Sequence, residues 1–258
     1  MRPGTGRAAE GGIVSAPVFL ADAGLLRPGT VVLDGPEGRH AVSVRRLRPG
    51  EEVVLTDGAG TGAYGSVTAA EGKDRLEIAV REVRTEPPPR PRITVVQALP
   101  KGDRGELAVE TMTETGVDAV VPWAASRAVT RWKGERAAKS LAKWRNTARE
   151  AGKQARRLRF PEVAESAATR EVAALLESAD FAAVLHEEGS TPLASAALPE
   201  AGEIVLVVGP EGGVAPEELE VFARAGAVPL RLGPSVLRTS TAGTAATAVL
   251  LARCGRWG

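Results

Sequence analysis

Two stretches near the carboxyl end decide the fold: Val207-Val208-Gly209-Pro210-Glu211-Gly212-Gly213 and Leu232-Gly233-Pro234-Ser235-Val236-Leu237-Arg238-Thr239-Ser240-Thr241-Ala242. In each stretch an apolar strand runs into a Gly-Pro loop, and the loop opens a predicted helix. Loops of this kind expose backbone N–H and C=O groups, which hold a small molecule by its polar edges. We therefore expect these two loops to bind a cofactor.

The rest of the carboxyl-terminal part alternates between short apolar strands and helices. The pattern predicts strands at Ile93–Leu99, Ala119–Pro122, Phe181–Leu185, Ile204–Val208 and Val228–Leu232. It predicts helices at Asp103–Thr115, Ala137–Ala155, Thr169–Glu177, Pro216–Ala225 and Thr239–Cys254. Apolar strands that alternate with helices are typical of a parallel sheet covered on both faces, so the expected fold class is α/β.

The amino-terminal part is rich in short strands and turns. Strands are predicted at Pro17–Leu20, Thr30–Leu33, Glu52–Thr56, Gly65–Thr68 and Leu76–Val80, and one helix fits, from Gly38 to Leu47. This pattern indicates a small β-barrel. The run Pro87-Pro88-Pro89-Arg90-Pro91 is stiff and extended, as interdomain linkers are. We therefore predict a disordered extension (1–12), a β-barrel domain (13–86), a linker (87–92) and an α/β domain (93–258).

Charge, cysteine content and hydropathy restrict the class of protein. The 258 residues have a net charge of +1, so no basic field covers the whole protein. A single cysteine, Cys254, permits no internal disulfide and fits a reducing cytoplasm. No apolar run is long enough to span a bilayer, and the amino terminus lacks the apolar segment of a secretory signal. We expect a cytoplasmic protein with no membrane partner.

Basic residues are concentrated in two places. From Arg131 to Arg159, many Lys and Arg residues are opposed only by Glu135 and Glu150. Such a stretch forms either a solvated helix face or a phosphate-binding surface, and an excess this large in a near-neutral chain favours the second. A smaller cluster in the barrel contains Arg39, His40, Arg45, Arg46 and Arg48.

Several common catalytic patterns are missing or misplaced. Gly60-Thr61-Gly62-Ala63-Tyr64-Gly65 matches G-x-G-x-x-G, but a strand follows where a dinucleotide site needs a helix. We interpret it as a hairpin turn that Asp57-Gly58 begins. No P-loop and no G-x-S-x-G motif occurs. The only histidines are His40 and His186, and with one cysteine they predict no metal site.

These loops and several other motifs resemble those of the ribosomal RNA small subunit methyltransferase E family, within the SPOUT class. The likeness runs from about Ala16 and includes Leu47-Arg48-Pro49-Gly50, Lys101-Gly102-Asp103-Arg104, Glu114, Gly116-Val117, Gln154, Arg157, Arg159 and both Gly-Pro loops. The resemblance implies an amino-terminal PUA-like β-barrel that binds RNA, a carboxyl-terminal α/β domain with a trefoil knot, and a homodimer. It also implies methylation of N3 of a uridine in 16S rRNA of the small ribosomal subunit, with S-adenosylmethionine bound in the knot loops.

The resemblance, together with the loop pattern and the basic clusters, gives an expected set of site residues. Expected cofactor-binding residues are His186, Gly209, Pro210, Glu211, Gly212, Gly213, Leu232, Gly233, Val236, Leu237, Arg238, Thr239, Thr241 and Ala242. Expected RNA-binding residues are Arg39, His40, Arg45, Arg46, Lys101, Arg104, Arg156, Arg157 and Arg159. Arg238 is the candidate catalytic residue, because its cation would stabilise negative charge on the uracil. Two candidates remain for the group that removes the N3 proton, namely Glu211 and solvent.

The sequence departs from the family pattern at four positions. Ser240, Ser235, Thr111 and Lys153 stand where the family usually has Glu, Arg, Lys and Glu, respectively. Roles of those family side chains do not carry over to this chain. Contacts made by the loop backbone do not depend on these side chains, so the departures affect proton handling more than cofactor binding.

Three other functions are alternatives. A related SPOUT methyltransferase would act on a ribose 2′-hydroxyl, and a non-catalytic ribosome assembly factor would bind RNA without S-adenosylmethionine. A nicotinamide-dependent dehydrogenase ranks third, because the only matching fingerprint lies in a predicted hairpin.

Overall fold

The computed structural model describes residues 16–257, and the chain forms two compact units. The first unit contains the chain up to Pro87 and also Gly152–Phe160, whereas the second contains Pro88–Ala151 and the chain from Pro161 onward. The predicted extension, 1–12, lies outside the described residues. The predicted linear division at 87–92 stays a prediction, and the structure adds that 152–160 groups with the first unit.

The first unit is built on a five-stranded sheet with a few short helical segments. Strands β1 (Val18–Leu20), β2 (Gly29–Leu33), β3 (Glu52–Thr56), β4 (Thr61–Glu71) and β5 (Arg75–Thr85) lie in the order β1-β3-β4-β5-β2. The β1–β3 pair is parallel and the other pairs are antiparallel. Helix α1 (Gly35–Arg39) continues into one turn of π-helix (His40–Val44), in place of the single predicted helix.

One hydrophobic core serves all five strands of this sheet. Phe19 of β1 and Leu33 of β2 come from the two edge strands, yet both belong to the same buried cluster as Leu55 and Ile78. A sheet whose two edges share one core has to curl around it, as a small barrel does. The barrel character predicted for this part is therefore present.

The second unit contains a seven-stranded sheet and the longer helices. Its strands are β6 (Arg92–Ala98), β7 (Ala119–Trp123), β8 (Glu162–Val163), β9 (Phe181–Leu185), β10 (Thr191–Pro192), β11 (Glu203–Val208) and β12 (Val228–Arg231). Its helices are α2 (Arg104–Thr115), α3 (Glu135–Gln154), whose last residues group with the first unit, α4 (Thr169–Ser178), α5 (Pro216–Arg224) and α6 (Thr239–Arg253). The strand order is β10-β12-β9-β11-β6-β7-β8, and every pair is parallel.

Alternate side chains of each central strand face two separate cores. In β11, Ile204 and Leu206 belong to one cluster, whereas Val205 and Val207 belong to the other. The first cluster takes residues of α2, α3 and α6, and the second takes residues of α4 and α5. Helices therefore cover both faces of the parallel sheet, which confirms the predicted α/β class. Strand order alone does not specify threading, so the trefoil knot stays a prediction.

Candidate functional site

A cavity of about 940 Å³ lies in the second unit at the carboxyl ends of β9, β11 and β12. Residues 209–214, here the first loop, follow β11, and residues 232–237, here the second loop, follow β12. The first turn of α6 lies beside the second loop and also lines the cavity. Ligands of open α/β sheets bind outside the carboxyl ends of the strands. The fold thus brings both Gly-Pro loops to one such place.

Glycine is required at two positions of the first loop. Gly213 has a backbone φ of +72°, a conformation that other residues rarely adopt, and its N–H donates to the Pro210 carbonyl at 2.9 Å. A Cβ atom on Gly209 would lie only 2.8 Å from Cγ2 of the buried Val214. The second loop differs, because a Cβ atom on Gly233 would have no neighbour within 4 Å. Gly233 therefore borders open space in the cavity.

Side chains hold the first loop from two sides. Oε1 of Glu211 accepts the Lys101 backbone N–H at 3.2 Å and lies 3.9 Å from a guanidinium nitrogen of Arg104. On the other side, Nη1 of Arg127 donates to the Gly212 carbonyl at 3.4 Å. Glu211 is consequently engaged in holding its own loop.

The second loop ends at the amino terminus of α6. Arg238 has extended backbone geometry, and its carbonyl accepts the N–H groups of Thr241 and Ala242, both at 2.9 Å. Its side chain lines the cavity and is exposed. The start of a helix carries partial positive charge, to which the Arg238 cation adds. This end of the cavity is therefore suited to a group that is, or becomes, negative.

The structure brings the expected cofactor-binding residues together, with one exception. All of them line the cavity apart from Thr241, whose hydroxyl instead bonds to the Arg238 carbonyl at 3.2 Å. His186 lines the cavity where β9 ends, and its Nδ1 accepts the Glu188 N–H at 3.2 Å. The binding roles themselves stay predictions.

The cavity also has lining residues that the sequence analysis did not assign to it. These are Arg104, which was expected to bind RNA, and Arg127, Leu185, Glu187, Val208, Val214, Arg231, Pro234 and Ser235. Most of them are next in sequence to residues that are expected to bind the cofactor. Arg127 is different, because it follows β7, a strand with no glycine loop. The carboxyl ends of parallel strands meet at one edge of a sheet, so a residue that follows β7 could be expected near the loops that follow β11 and β12.

The expected RNA-binding residues fall into two groups, which we describe separately. In the first unit, Arg39 lies in α1, and His40 begins the π-helix that Arg45 and Arg46 follow. A small cavity of about 60 Å³ in this unit is lined by Pro17, Val18, Phe19, His40, Arg45, Lys153, Gln154 and Arg156. In the second unit, Lys101 and Arg104 lie at the start of α2, next to Glu211.

Several basic side chains between Arg131 and Arg159 contact protein groups. Arg131 donates to the carbonyls of Ala125 and Ser126, and Lys143 pairs with Glu106 at 2.9 Å. Nη2 of Arg159 donates to the Glu86 carbonyl at 3.0 Å. RNA binding by Arg156, Arg157 and Arg159 stays a prediction, and Arg159 has a structural contact in addition.

The four positions that depart from the family pattern have defined surroundings. Ser235 lines the cavity, and Ser240 is buried in the first turn of α6. The hydroxyls of Thr111 in α2 and Thr244 in α6 are 2.6 Å apart and share a hydrogen bond. Lys153 is buried and pairs with Glu37 at 2.7 Å within the first unit.

Residues 16–257 contain neither a metal-binding cluster nor a membrane-spanning helix. No group of His, Cys, Asp or Glu side chains in this part of the chain could hold a metal ion. Every helix within these residues is too short or too polar to span a bilayer.

Comparison with family profiles and curated proteins gives consistent matches. Residues 86–251 match an RNA methyltransferase domain, and residues 33–81 match an RNA methyltransferase PUA domain. Ribosomal RNA small subunit methyltransferase E of Mycobacterium bovis is 46% identical over 230 residues, which cover 88% of this chain and 87% of that protein. The protein of the same name from Bacillus subtilis is 29% identical, over 83% of this chain and 86% of that protein.

Solved structures agree with the sequence relatives. A ribosomal RNA small subunit methyltransferase E from Neisseria gonorrhoeae, bound to S-adenosyl methionine, superposes with a TM-score of 0.81 at 30% identity. A methyltransferase from Legionella pneumophila, also in complex with this cofactor, gives 0.78 at 27% identity. Each match covers 92% of this chain and 98% of the other. Together with the profile matches, these likenesses show that the chain belongs to the ribosomal RNA small subunit methyltransferase E family of RNA methyltransferases.

Proposed function

We propose that this protein binds S-adenosylmethionine between the two loops and methylates N3 of a uridine in 16S rRNA of the small ribosomal subunit. The observation that carries the proposal is the meeting of both Gly-Pro loops and the start of α6 at one cavity. Family membership supports the RNA methyltransferase activity. The choice of N3 and of one uridine rests on the resemblance noted in the sequence.

The residues of the cavity fit this cofactor. Leu185, Val208, Leu232 and Leu237 offer apolar surface for an adenine ring, and the glycines of both loops allow close approach to the backbone. The carboxylates of Glu187 and Glu211 border the same space as the Arg238 cation. A ligand that carries a sulfonium, an amino group and a carboxylate would find groups of both charges there.

S-adenosylmethionine supplies an electrophilic methyl group when it is bound. The task of the chain is to position the uracil and to stabilise negative charge, because N3 of neutral uridine carries a proton. We assign charge stabilisation to Arg238 and to the amino terminus of α6. Glu211 already accepts a backbone N–H and faces Arg104, so we assign removal of the N3 proton to solvent.

The RNA side of the reaction involves residues of both units. Basic side chains of both units would contact phosphates. In the first unit these belong to Arg39, His40, Arg45, Arg46, Arg156, Arg157 and Arg159, and in the second to Lys101 and Arg104. Phosphate contacts position the RNA, whereas the cavity selects the base. The target uridine has to leave its stack to enter a cavity of this kind.

We also propose a cytoplasmic homodimer as the working form. Its support is the family resemblance, together with the exposed apolar side chains of the consecutive residues Val236 and Leu237 on the second unit. Large apolar side chains grouped on a surface often mark an interface. Sedimentation at micromolar concentration would show twice the chain mass if this is correct, and a single-chain mass would contradict it.

Cofactor binding is tested by filling the open space at Gly233. Since an added Cβ atom there meets nothing within 4 Å, Gly233→Val should fold normally while its side chain takes up cavity space. We expect binding of S-adenosylmethionine, measured by calorimetry, to weaken about tenfold or more, because the methyl groups displace ligand atoms from close contact. The matched control is Gly24→Val, also at an open position but in the first unit, which should bind normally. Equal affinities for both variants would contradict the assignment, and a wild-type protein that binds none would favour an assembly factor.

A further inference from the structure

Glu218 is a buried carboxylate in the first turn of α5, outside the lining of the two-loop cavity. Only 5% of its surface is exposed. Among residues 16–257, no Lys or Arg forms an ion pair with it. Burying an unpaired carboxylate is costly unless hydrogen bonds satisfy it. Burial of Glu218 therefore requires hydrogen-bond donors around its carboxylate, which an exposed glutamate would not need.

Four donors surround this carboxylate, two on each oxygen. Oε1 accepts the backbone N–H of Ser126 and the hydroxyl of Thr169, each at 2.9 Å. Oε2 accepts the hydroxyl of Ser126 at 2.9 Å and the backbone N–H of Ala215 at 3.3 Å. Each oxygen thus has one hydroxyl donor, which can rotate, and one backbone donor, which cannot.

The two backbone donors belong to the segments that frame the first loop. Ala215 directly follows that loop, because it comes after Val214. Ser126 precedes Arg127, whose guanidinium donates to the Gly212 carbonyl. The carboxylate thus joins the end of the first loop to the segment after β7 that supports its middle.

We propose that Glu218 is a positioning residue that holds the first loop in its binding conformation, and that only a carboxylate performs this role. The inference rests on the proposed binding of S-adenosylmethionine at that loop. An amide of the same shape has one oxygen and one NH₂ group. Whichever way the amide is turned, its NH₂ faces the N–H of Ser126 or of Ala215, and two donors then oppose each other. Either orientation releases one of the two segments.

The test compares Glu218→Gln with Glu220→Gln, an exposed glutamate of the same helix. Hydrogen exchange of peptides that cover residues 209–216 is measured first, without ligand. We expect faster exchange there in Glu218→Gln only. The dissociation constant for S-adenosylmethionine should rise about tenfold in that variant, since a buried donor loses its acceptor. The kcat at saturating cofactor should stay within about threefold of the wild type, because Glu218 does not line the cavity.

The outcomes separate this inference from the proposed function. If Glu218→Gln only lowers the melting temperature, while exchange at 209–216 and cofactor affinity match the control, the positioning role is wrong. If the wild type binds no S-adenosylmethionine, the proposed function fails, whereas the exchange result still decides whether Glu218 orders the loop. Should Glu218→Gln not fold, Glu218→Asp keeps the charge but shortens the side chain by one methylene, so its carboxylate cannot reach both backbone donors at once. This variant should show the same two effects at smaller size, and unchanged exchange with unchanged affinity would overturn the inference.

Discussion

The buried carboxylate of Asp118 in the second unit is neutralised by the guanidinium of Arg256. Asp118 is nearly inaccessible, and its two oxygens accept a bidentate pair of hydrogen bonds from the guanidinium of Arg256, at 2.6 and 3.0 Å. Oδ2 also accepts the Ile93 backbone N–H at 2.8 Å, where β6 begins. Arg256 in addition donates to the Pro91 carbonyl. The chain near its carboxyl end is thus tied to the first strand of the unit.

We predict that Arg256→Ala lowers the free energy of unfolding by about 2–3 kcal/mol, because it leaves the Asp118 carboxylate buried without its cation. Urea denaturation followed by circular dichroism measures this loss. Arg170→Ala, at an exposed position of α4, is the control and should cost less than about 0.5 kcal/mol. A loss for Arg256→Ala no larger than for the control would show that the pair contributes little.

Sequence patterns identify residues whose role depends on their neighbours in the chain. They do not identify residues whose role depends on contacts with distant parts of the chain. The glycines of the two loops could be found because a Gly-Pro pair after an apolar strand marks a loop within a short stretch of sequence. Glu218 has no such local signal, since its partners Ser126 and Thr169 lie far away in sequence. The contact of Arg127 with Gly212 is equally distant, and only the shared edge of the parallel strands points to it. Charge and the family resemblance assign Arg159 to RNA, and its bond to Glu86 appears only once the chain is folded.

At the scale of elements, strand and helix positions were largely predictable and their details were not. Periodicity located the long helices and central strands of the second unit, because buried strands and amphipathic helices have distinct repeats. The two-residue strands β8 and β10 are too short to carry a pattern. The predicted helix from Gly38 to Leu47 is instead α1 followed by a π-helical turn, whose hydrogen bonds give no sequence signal.

The segment formed by α1, the π-helix and the residues directly after it carries part of the RNA contacts expected in the first unit, and salt dependence tests them. We predict that the double variant Arg39→Glu and Arg45→Glu binds 16S rRNA more weakly and lowers the slope of log K against log salt by about 1–2. Both side chains are exposed, so folding should be unaffected. Filter binding from low to moderate salt provides the slopes.

The control for that prediction is Arg75→Glu, an exposed arginine of β5 that pairs only with Glu71 among the described contacts. It removes a positive charge from the same unit and should leave the slope near the wild-type value. Equal slopes for all three proteins would place the RNA contacts elsewhere.

At the scale of the whole molecule, two segments of the chain match two domains of RNA methyltransferases. The structural units follow these segments closely, but 152–160 lies within the methyltransferase match and groups with the first unit. Residues 33–81 and 86–251 match a PUA domain and an RNA methyltransferase domain, respectively. Composition alone could not have indicated this, because the net charge of +1 hides the uneven placement of basic residues. The division of labour that we propose is that phosphate contacts hold the RNA while the two-loop cavity selects and modifies one base.

The most direct test is to locate the methyl group that the protein transfers. Small ribosomal subunits from cells that lack this gene are incubated with the purified protein and S-adenosylmethionine carrying a deuterated methyl group. The 16S rRNA is then digested to nucleosides and fragments for mass spectrometry. We predict label in 3-methyluridine at a single position. Label in a ribose 2′-O-methyl nucleoside, or no label in RNA at all, would contradict the proposed reaction.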